Sequence, residues 1–287
     1  MKIIALATCH NRKESTLRAL SSLYRQRLPD GCELSICLVD DGSSDGTADA
    51  VRARFPEVEL IEGSGSLYWA GGMRYGWEHN VKKQEFEYLL VFNDDVELYP
   101  DALETMLSAA TSLEAEGSHA FAVAGAFRNS DTGELTYGGV VRQYWWHPLK
   151  FKKIAPADSI RKLDTVNMNL TLISRDALDL VGFLSPEFVH KTADYDFGLR
   201  LAQAGGRIAL APGYVGTCDT NPAAGSVNEP GISVAERWRR LNGVKGQPAR
   251  IRAVYCRRHG GILWPLYWAM PYLRICFGST LKRRKRS

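Results

Sequence analysis

No run of about eighteen apolar residues occurs in this 287-residue chain, so no bilayer-spanning helix is expected. Cysteine is sparse and unpatterned. Six are present, with no C-x-x-C and no metal-type spacing, which excludes a disulfide framework and a zinc ribbon. Cys9 and Cys37 lie in apolar, strand-like runs and read as buried free thiols of a reducing cytoplasm. No internal repeat is present. The opening MKIIALATCHNR turns polar after Thr8, too soon for a signal peptide, so a cytoplasmic protein is expected. Acids are nearly absent from the last fifth: residues 233–287 hold fourteen Lys and Arg against Glu236 alone, a charge of +13, while residues 1–232 carry −9. The remaining composition, 45% hydrophobic and 24% charged, is that of an ordinary globular chain. An acidic body with a basic tail implies an anionic partner for the tail.

The first third alternates strand and helix signals. Apolar runs at Lys2–Ala7, Leu34–Val39, Val58–Ile61 and Tyr88–Phe92 read as strands. Between them, Glu14–Tyr24, Thr47–Phe55 and Ala70–Val81 read as helices. That alternation predicts βαβ units and a mainly parallel sheet, whose ligands bind beyond the carboxyl ends of the strands. Three of these strands end in polar or acidic clusters: Thr8–Arg12, Asp40–Asp45 and Asn93–Asp95. From 119 to 173 the runs Ala120–Ala126, Leu135–Arg142 and Met168–Ile173 look antiparallel. Asp194–Ala204 reads as a helix and Ile208–Leu210 as a strand. Residues 213–232, rich in Gly and Pro, read as a mobile loop, and the tail reads as helices broken at 243–246.

Carboxylates gathered at strand ends repel unless a cation or a donor array offsets them. Hard oxygen ligands in that position suit Mg²⁺ or Mn²⁺, which takes one or two carboxylates and fills its shell from phosphate and water. The alternative for Asn93-Asp94-Asp95 is a strand-to-helix turn in which Asp95 or Asp101 caps the next helix.

The motifs occur as an ordered set: Thr8-Cys9-His10-Asn11-Arg12, Asp40-Asp41-Gly42-Ser43-Ser44-Asp45-Gly46-Thr47, Tyr68-Trp69-Ala70-Gly71-Gly72-Met73-Arg74-Tyr75-Gly76, Val91–Val96 and Ala193–Arg200. Over residues 1–220 that set resembles the family 2 glycosyltransferases, inverting enzymes of the GT-A fold. The Trp-Ala-Gly-Gly-Met form resembles the bacterial rhamnosyltransferase-like branch of cell-surface polysaccharide synthesis. The resemblance implies an α/β fold: a Rossmann-like, mainly parallel central sheet with flanking helices, plus a helical basic C-terminal extension. It divides the chain into a domain at 1–232 (nucleotide-binding half 1–118, acceptor-binding half 119–232) and the extension at 233–287. It implies a nucleoside diphosphate sugar donor, dTDP- or UDP-linked, held by Thr8, Asn11, Arg12, Asp40 and Asp41, with a carboxylate accepting the pyrimidine N3–H. Asp95 would bind the metal and Asp94 face the ribose or sugar, with Asn93 in place of the motif's first acid. Gly71, Gly72 and Gly76 would let backbone approach the donor. Arg74 would stand beside the diphosphate, and Trp69 would wall the sugar. Asp194 would be the base that takes the acceptor hydroxyl's proton as the new bond forms. Where the family often has Glu-Asp this chain has Ala193-Asp194, which leaves Asp196 as a second candidate. Otherwise Asp194 caps its helix and Asp196 pairs with Arg200. Asp219 stands where many relatives carry a metal-side His, and His190 precedes Asp194 by four residues.

The tail's Ile262–Phe277 is aromatic and apolar, interrupted by Pro265 and Pro271, and precedes Lys282–Arg286. That pairing suits an anionic membrane surface met through 262–286, at the inner face of the cell membrane. The alternative is a helix packed on the domain. No nucleic-acid module is present, so no nucleic-acid partner is expected. The acceptor would then be a saccharide, lipid-linked. Two rival functions keep the same fold: a non-catalytic nucleotide- or saccharide-binding protein, and a sugar nucleotidyltransferase. The latter needs a Gly-rich basic loop after the first strand, which Cys9-His10-Asn11-Arg12 does not supply.

Overall fold

A computed structural model describes residues 1–220, 225–227, 229–244 and 246–284, the side chains of 277–284 excepted. Two compact units are present. One comprises 1–141, 152–189 and 193–220, the other 142–151, 190–192 and 221–287. The second unit thus includes two short internal segments that no shift of composition marks.

The first unit opens with β1 (Lys2–Cys9), α1 (Lys13–Tyr24), β2 (Glu33–Asp40), α2 (Thr47–Arg54), β3 (Glu59–Glu62), α3 (Tyr68–His79) and β4 (Tyr88–Phe92). The chain continues with β5 (Glu97–Leu98), α4 (Ala102–Ala115), β6 (Phe121–Arg128), β7 (Leu135–Tyr137), β8 (Gly139–Tyr144) and β9 (His147–Ile154), whose hairpin tip belongs to the second unit, then β10 (Arg161–Lys162), β11 (Leu170–Ser174), α5 (Arg175–Val181), α6 (Ala193–Gln203) and β12 (Arg207–Thr217). The main sheet runs β10-β12-β6-β11-β4-β1-β2-β3, and β8 pairs with β9 apart from it. β3, β2, β1 and β4 are mutually parallel. β11 is antiparallel to both β4 and β6, and β12 is parallel to β6. The sheet is therefore mostly parallel with one reversed internal strand, which agrees with the expected mainly parallel α/β fold.

Residues Ile3 to Cys9 and Tyr88 to Phe92 are buried along their whole length. Strands covered by helices on both faces read in this way, as apolar runs without alternation. α1 turns Leu17, Leu20 and Leu23 inward. At the end of β11, the Ser174 hydroxyl accepts Ala177 N at 3.2 Å and so starts α5 with a side-chain cap.

β12 outlasts the expected short strand. It shifts register against β6 between Leu210 and Tyr214, and again before Gly216, and stays paired to Thr217. The expected loop of 213–232 therefore begins no earlier than Cys218. Asn221–Ala224 and Asn228 lie outside the described residues.

The second unit holds the tip of the β8–β9 hairpin and three helices, α7 (Val234–Asn242), α8 (Ala249–His259) and α9 (Trp264–Arg284). No helix among the described residues is long and apolar enough to cross a membrane. The basic end at Lys282–Arg286 lies outside the described side chains, with Lys285 and Arg286 outside the described residues altogether.

Candidate active site

The reversed strand β11 determines which chain segments meet. It begins at Leu170 opposite Phe92, where β4 ends, so the residues before it lie at the edge that carries Asn93–Asp95. Asn93 N donates to Asn169 O at 3.0 Å. Two residues earlier, Asn167 Nδ2 donates to Asp194 Oδ2 at 3.3 Å. The end of β12 arrives beside the same cluster, with Cys218 Sγ 3.7 Å from Asp95 Oδ1. Sequence positions near 10, 40, 94, 168, 194 and 218 thus gather at one sheet edge.

Asp94 is buried and Asp95 half-buried; Arg12 Nη1 serves both, at 3.1 Å to Asp94 Oδ1 and 2.7 Å to Asp95 Oδ2. Burial pushes the Asp94 carboxyl up to about 6, against the pull of the Arg12 guanidinium, and the neighbouring Asp95 charge adds to the rise. Asn93 Oδ1 accepts the Trp69 indole N–H at 2.9 Å, which fixes that half-buried ring beside the acids. Asp95 and Asp219 both line a cleft of about 260 Å³ with Ser15, Arg18 and Glu97. Asp219 Oδ1 accepts Asn129 Nδ2 at 2.6 Å. Burial, and then the charge of Asp95, pushes the Cys218 thiol up, so it stays protonated.

Asp40 and Asp41, adjacent and both buried, do different things. Asp40 Oδ1 accepts Ser43 N at 2.9 Å and closes its own turn. Asp41 spends both oxygens on the next loop: Oδ1 on Gly65 N at 2.8 Å, and Oδ2 on Leu67 N at 2.8 Å and Tyr68 N at 3.1 Å. Those bonds hold Tyr68 at φ 57, a left-handed conformation that a bulky residue rarely adopts. Asn11, at φ 52, is a residue type that tolerates this region, and its Oδ1 accepts Ser44 N at 2.8 Å.

Three α3 residues named for the donor have partners within the chain. A Cβ on Gly72 would stand 2.3 Å from Thr8 Oγ1, and one on Gly76 would stand 2.6 Å from Leu6 Cδ1. Both glycines therefore let α3 press closely onto β1. Arg74 Nη1 donates to Ser185 O at 3.0 Å and Phe188 O at 2.5 Å and so fastens the segment before α6. Gly71 has room for a Cβ, and its N–H, like that of Ala70, donates to Val189 O.

Hydrogen bonding distinguishes the two acids of α6. Asp196 is wholly buried, and its Oδ2 accepts Ser185 Oγ and Arg200 Nε, each at 2.8 Å. It is a structural clamp. Asp194 is only partly buried, takes no ion pair among the described contacts, and is pushed up to about 6 by burial, with the amides of Tyr195 and Met168 and the Asn167 side chain holding it lower than burial alone would. His190 lies in the second unit. Sequence reasoning missed Asn167 and Asn169, which stand before a strand with no motif around them.

Residues 5–179 match the sequence profile described as "Glycosyl transferase family 2". Two curated relatives, both named N-acetylglucosaminyl-diphospho-decaprenol L-rhamnosyltransferase and from two strains of Mycobacterium tuberculosis, are 24% identical over 203 residues, which is 60% of this chain. The chain spans 62% of their length. A solved mannosyltransferase of Pyrobaculum calidifontis, in complex with GDP-Man and Mn²⁺, has a similar fold at a TM-score of 0.56 and 17% identity, over 94% of this chain and 69% of that one.

Proposed function

The chain belongs to glycosyl transferase family 2, and on that premise we propose that it moves a sugar, with inversion, from a pyrimidine nucleoside diphosphate donor to a saccharide acceptor carried on a lipid. The observation that carries this reading is the meeting of the Asp94–Asp95 pair, the Asp40 turn and Asp194 at one sheet edge. Rhamnose, as the dTDP-sugar, is the proposed donor; its support is the name of the curated relatives.

A divalent cation fits the residues present. Asp95 Oδ2 is shared with Arg12 while Oδ1 is beside the Cys218 thiol, and Asp219 lines the same cleft. No group of three or more metal-type side chains gathers among the described residues. Mg²⁺ and Mn²⁺ need no such cage, because phosphate and water complete their shells. Asp95, with Asp219, would hold the ion, and the ion when bound would offset charge on the leaving diphosphate.

The chain's own groups do the rest. Asp41 keeps the 65–68 loop in shape, which leaves Asp40 as the carboxylate that accepts the base N3–H; Thr8 and Asn11 flank it. Arg12 balances the acid pair and presents positive charge at that edge. Trp69, pinned through Asn93, forms a flat wall for the sugar ring. Asp194, raised toward neutrality and held by Asn167, takes the acceptor proton as the bond to the anomeric carbon forms.

The test is a screen of purified protein with UDP-, dTDP- and GDP-sugars, with and without Mn²⁺, reading released nucleotide. Release from a pyrimidine donor, dependent on the metal and lost in Asp95→Ala, is expected. Binding of donor without release in the presence of any saccharide acceptor would favour a binding protein and overturn the reading.

A further inference from the structure

The second unit is chemically unlike the first. It holds seventeen Lys and Arg against two acids, Glu229 and Glu236. Both acids are already paired, Glu229 with Arg240 at 2.5 Å and Glu236 with Arg239 at 2.7 Å. Of fourteen large apolar side chains left exposed among the described residues, eleven lie in this unit. A monomeric surface rarely keeps so much apolar area in one place without a partner.

The exposed groups come from two elements that are tied together. On α9, Ile262 just before it and Leu266, Met270 and Leu273 within it recur at helical spacing and face outward, Ile262 at 93% exposure. The other face carries Tyr267, Trp268 and Tyr272 and is fastened down: Trp268 Nε1 donates to Ala249 O at 2.9 Å, and Trp238 meets Tyr272 at 5.4 Å. Pro271 has no N–H to give Tyr267 O, four residues back, and Arg252 Nη2 supplies that donor at 2.6 Å. Arg252 Nε donates to Trp268 O at 3.1 Å. The proline-interrupted helix is thus held in place rather than left to fray.

The hairpin tip is tied to α9 through the buried Tyr267, on the flank of the helix beside the exposed stripe. The Tyr267 ring lies 4.4 Å from His147 and its hydroxyl donates to Trp146 O at 3.4 Å. Tyr144 stacks on Trp146 at 5.4 Å, with Lys150 Nζ 4.8 Å above the Tyr144 ring. At the turn itself Trp145 is 94% exposed.

We propose that the hairpin tip and the outward face of α9 form one docking platform for an anionic phospholipid bilayer, with Trp145, Trp146 and the aliphatic stripe entering the headgroup boundary and the surrounding Arg and Lys meeting lipid phosphates. Indole rings favour that boundary because one side is apolar and the N–H remains wet. Aliphatic side chains of the stripe find no complement on a nucleic acid, whose apolar faces are bases that stack on rings. A bilayer accepts both the stripe and the charge. The platform goes beyond the transfer chemistry and does not depend on it.

The test uses the full chain sedimented with vesicles of phosphatidylcholine alone or mixed with phosphatidylglycerol. Binding to the mixed vesicles, weakened by salt, is expected, with a blue shift of tryptophan emission. Trp145→Ser with Trp146→Ser should weaken it by about tenfold or more, and Leu266→Ser with Met270→Ser likewise, while donor binding stays as in the parent. Donor binding reports the fold of the variants, and a parent chain that binds vesicles but no donor counts against the transfer reading alone. Vesicle binding unchanged in both variants, or none by the parent chain, would overturn the platform. So would a dimer of the parent that these substitutions dissociate without any vesicle binding, or tighter capture by single-stranded RNA than by anionic vesicles.

Discussion

Replacing Asp194 by Asn separates catalysis from helix capping. Asp194 lies in the first turn of α6, where Asn can replace it as an acceptor, so a purely structural role predicts little loss of transfer. A base role predicts loss of transfer by about 10²–10⁴, or roughly 3–5 kcal/mol of barrier, with donor binding kept. The raised carboxyl adds a pH signature. With the group pushed up to about 6, carboxylate outnumbers acid by about ten to one at pH 7 and the ratio inverts at pH 5, so turnover should fall about tenfold between them. Stability moves the other way. An acid whose folded value exceeds its unfolded one binds protons more tightly when folded, so its contribution falls as pH rises from about 4 to 6 and stays low above that. An amide in its place carries no charge to desolvate, so Asp194→Asn should be about 1–3 kcal/mol more stable at pH 7, an advantage that fades toward pH 4. The assays are nucleotide release from pH 5 to 8 and thermal melts at pH 4 and 7. Near-parental turnover, or a variant that melts lower than the parent at pH 7, would refute the assignment.

Two further substitutions probe the frame around the site. Gly72→Ala gains about 1 kcal/mol of helix propensity but forces a Cβ to 2.3 Å from Thr8 Oγ1, an overpacking of about 1–3 kcal/mol. Calorimetry should show a net loss, eased by Thr8→Ala, and an unchanged melt would mean α3 has slack. Asp41→Ala strips three amides of their acceptor, which should cost more than about 2 kcal/mol and weaken donor binding by titration, with Asp41→Asn recovering part; donor affinity equal to the parent's would show that the 65–68 loop keeps its shape unaided.

Much of this was legible in the sequence because apolar runs ending in polar clusters report both strand and site in a doubly wound sheet. β1, β2 and β4 needed only their length and their last residues. What periodicity leaves out is the identity of the neighbour. Gly72 and Gly76 look alike whether a ligand or a strand lies opposite, and only the packing against Thr8 and Leu6 decides. Arg74 looks free until Ser185 and Phe188, more than a hundred residues later, present their carbonyls. The sequence ranks Asp194 before Asp196 only through the family resemblance, and the Ser185 and Arg200 bonds to Asp196 are visible only in the structure. The hairpin tip is two tryptophans in a polar stretch; its link to Tyr267 joins residues 121 apart.

Asp41 carries a last consequence. By fixing three loop amides it settles the contour of the 65–68 segment as the chain folds, so the ordering entropy of that segment belongs to folding. If the donor lies beside it, as proposed above, a segment already set discriminates by fit and does not remould itself around a different nucleotide sugar. Attempts to widen the range of donors should therefore leave Asp41 and its loop intact and begin at Trp69, whose indole N–H is held by Asn93.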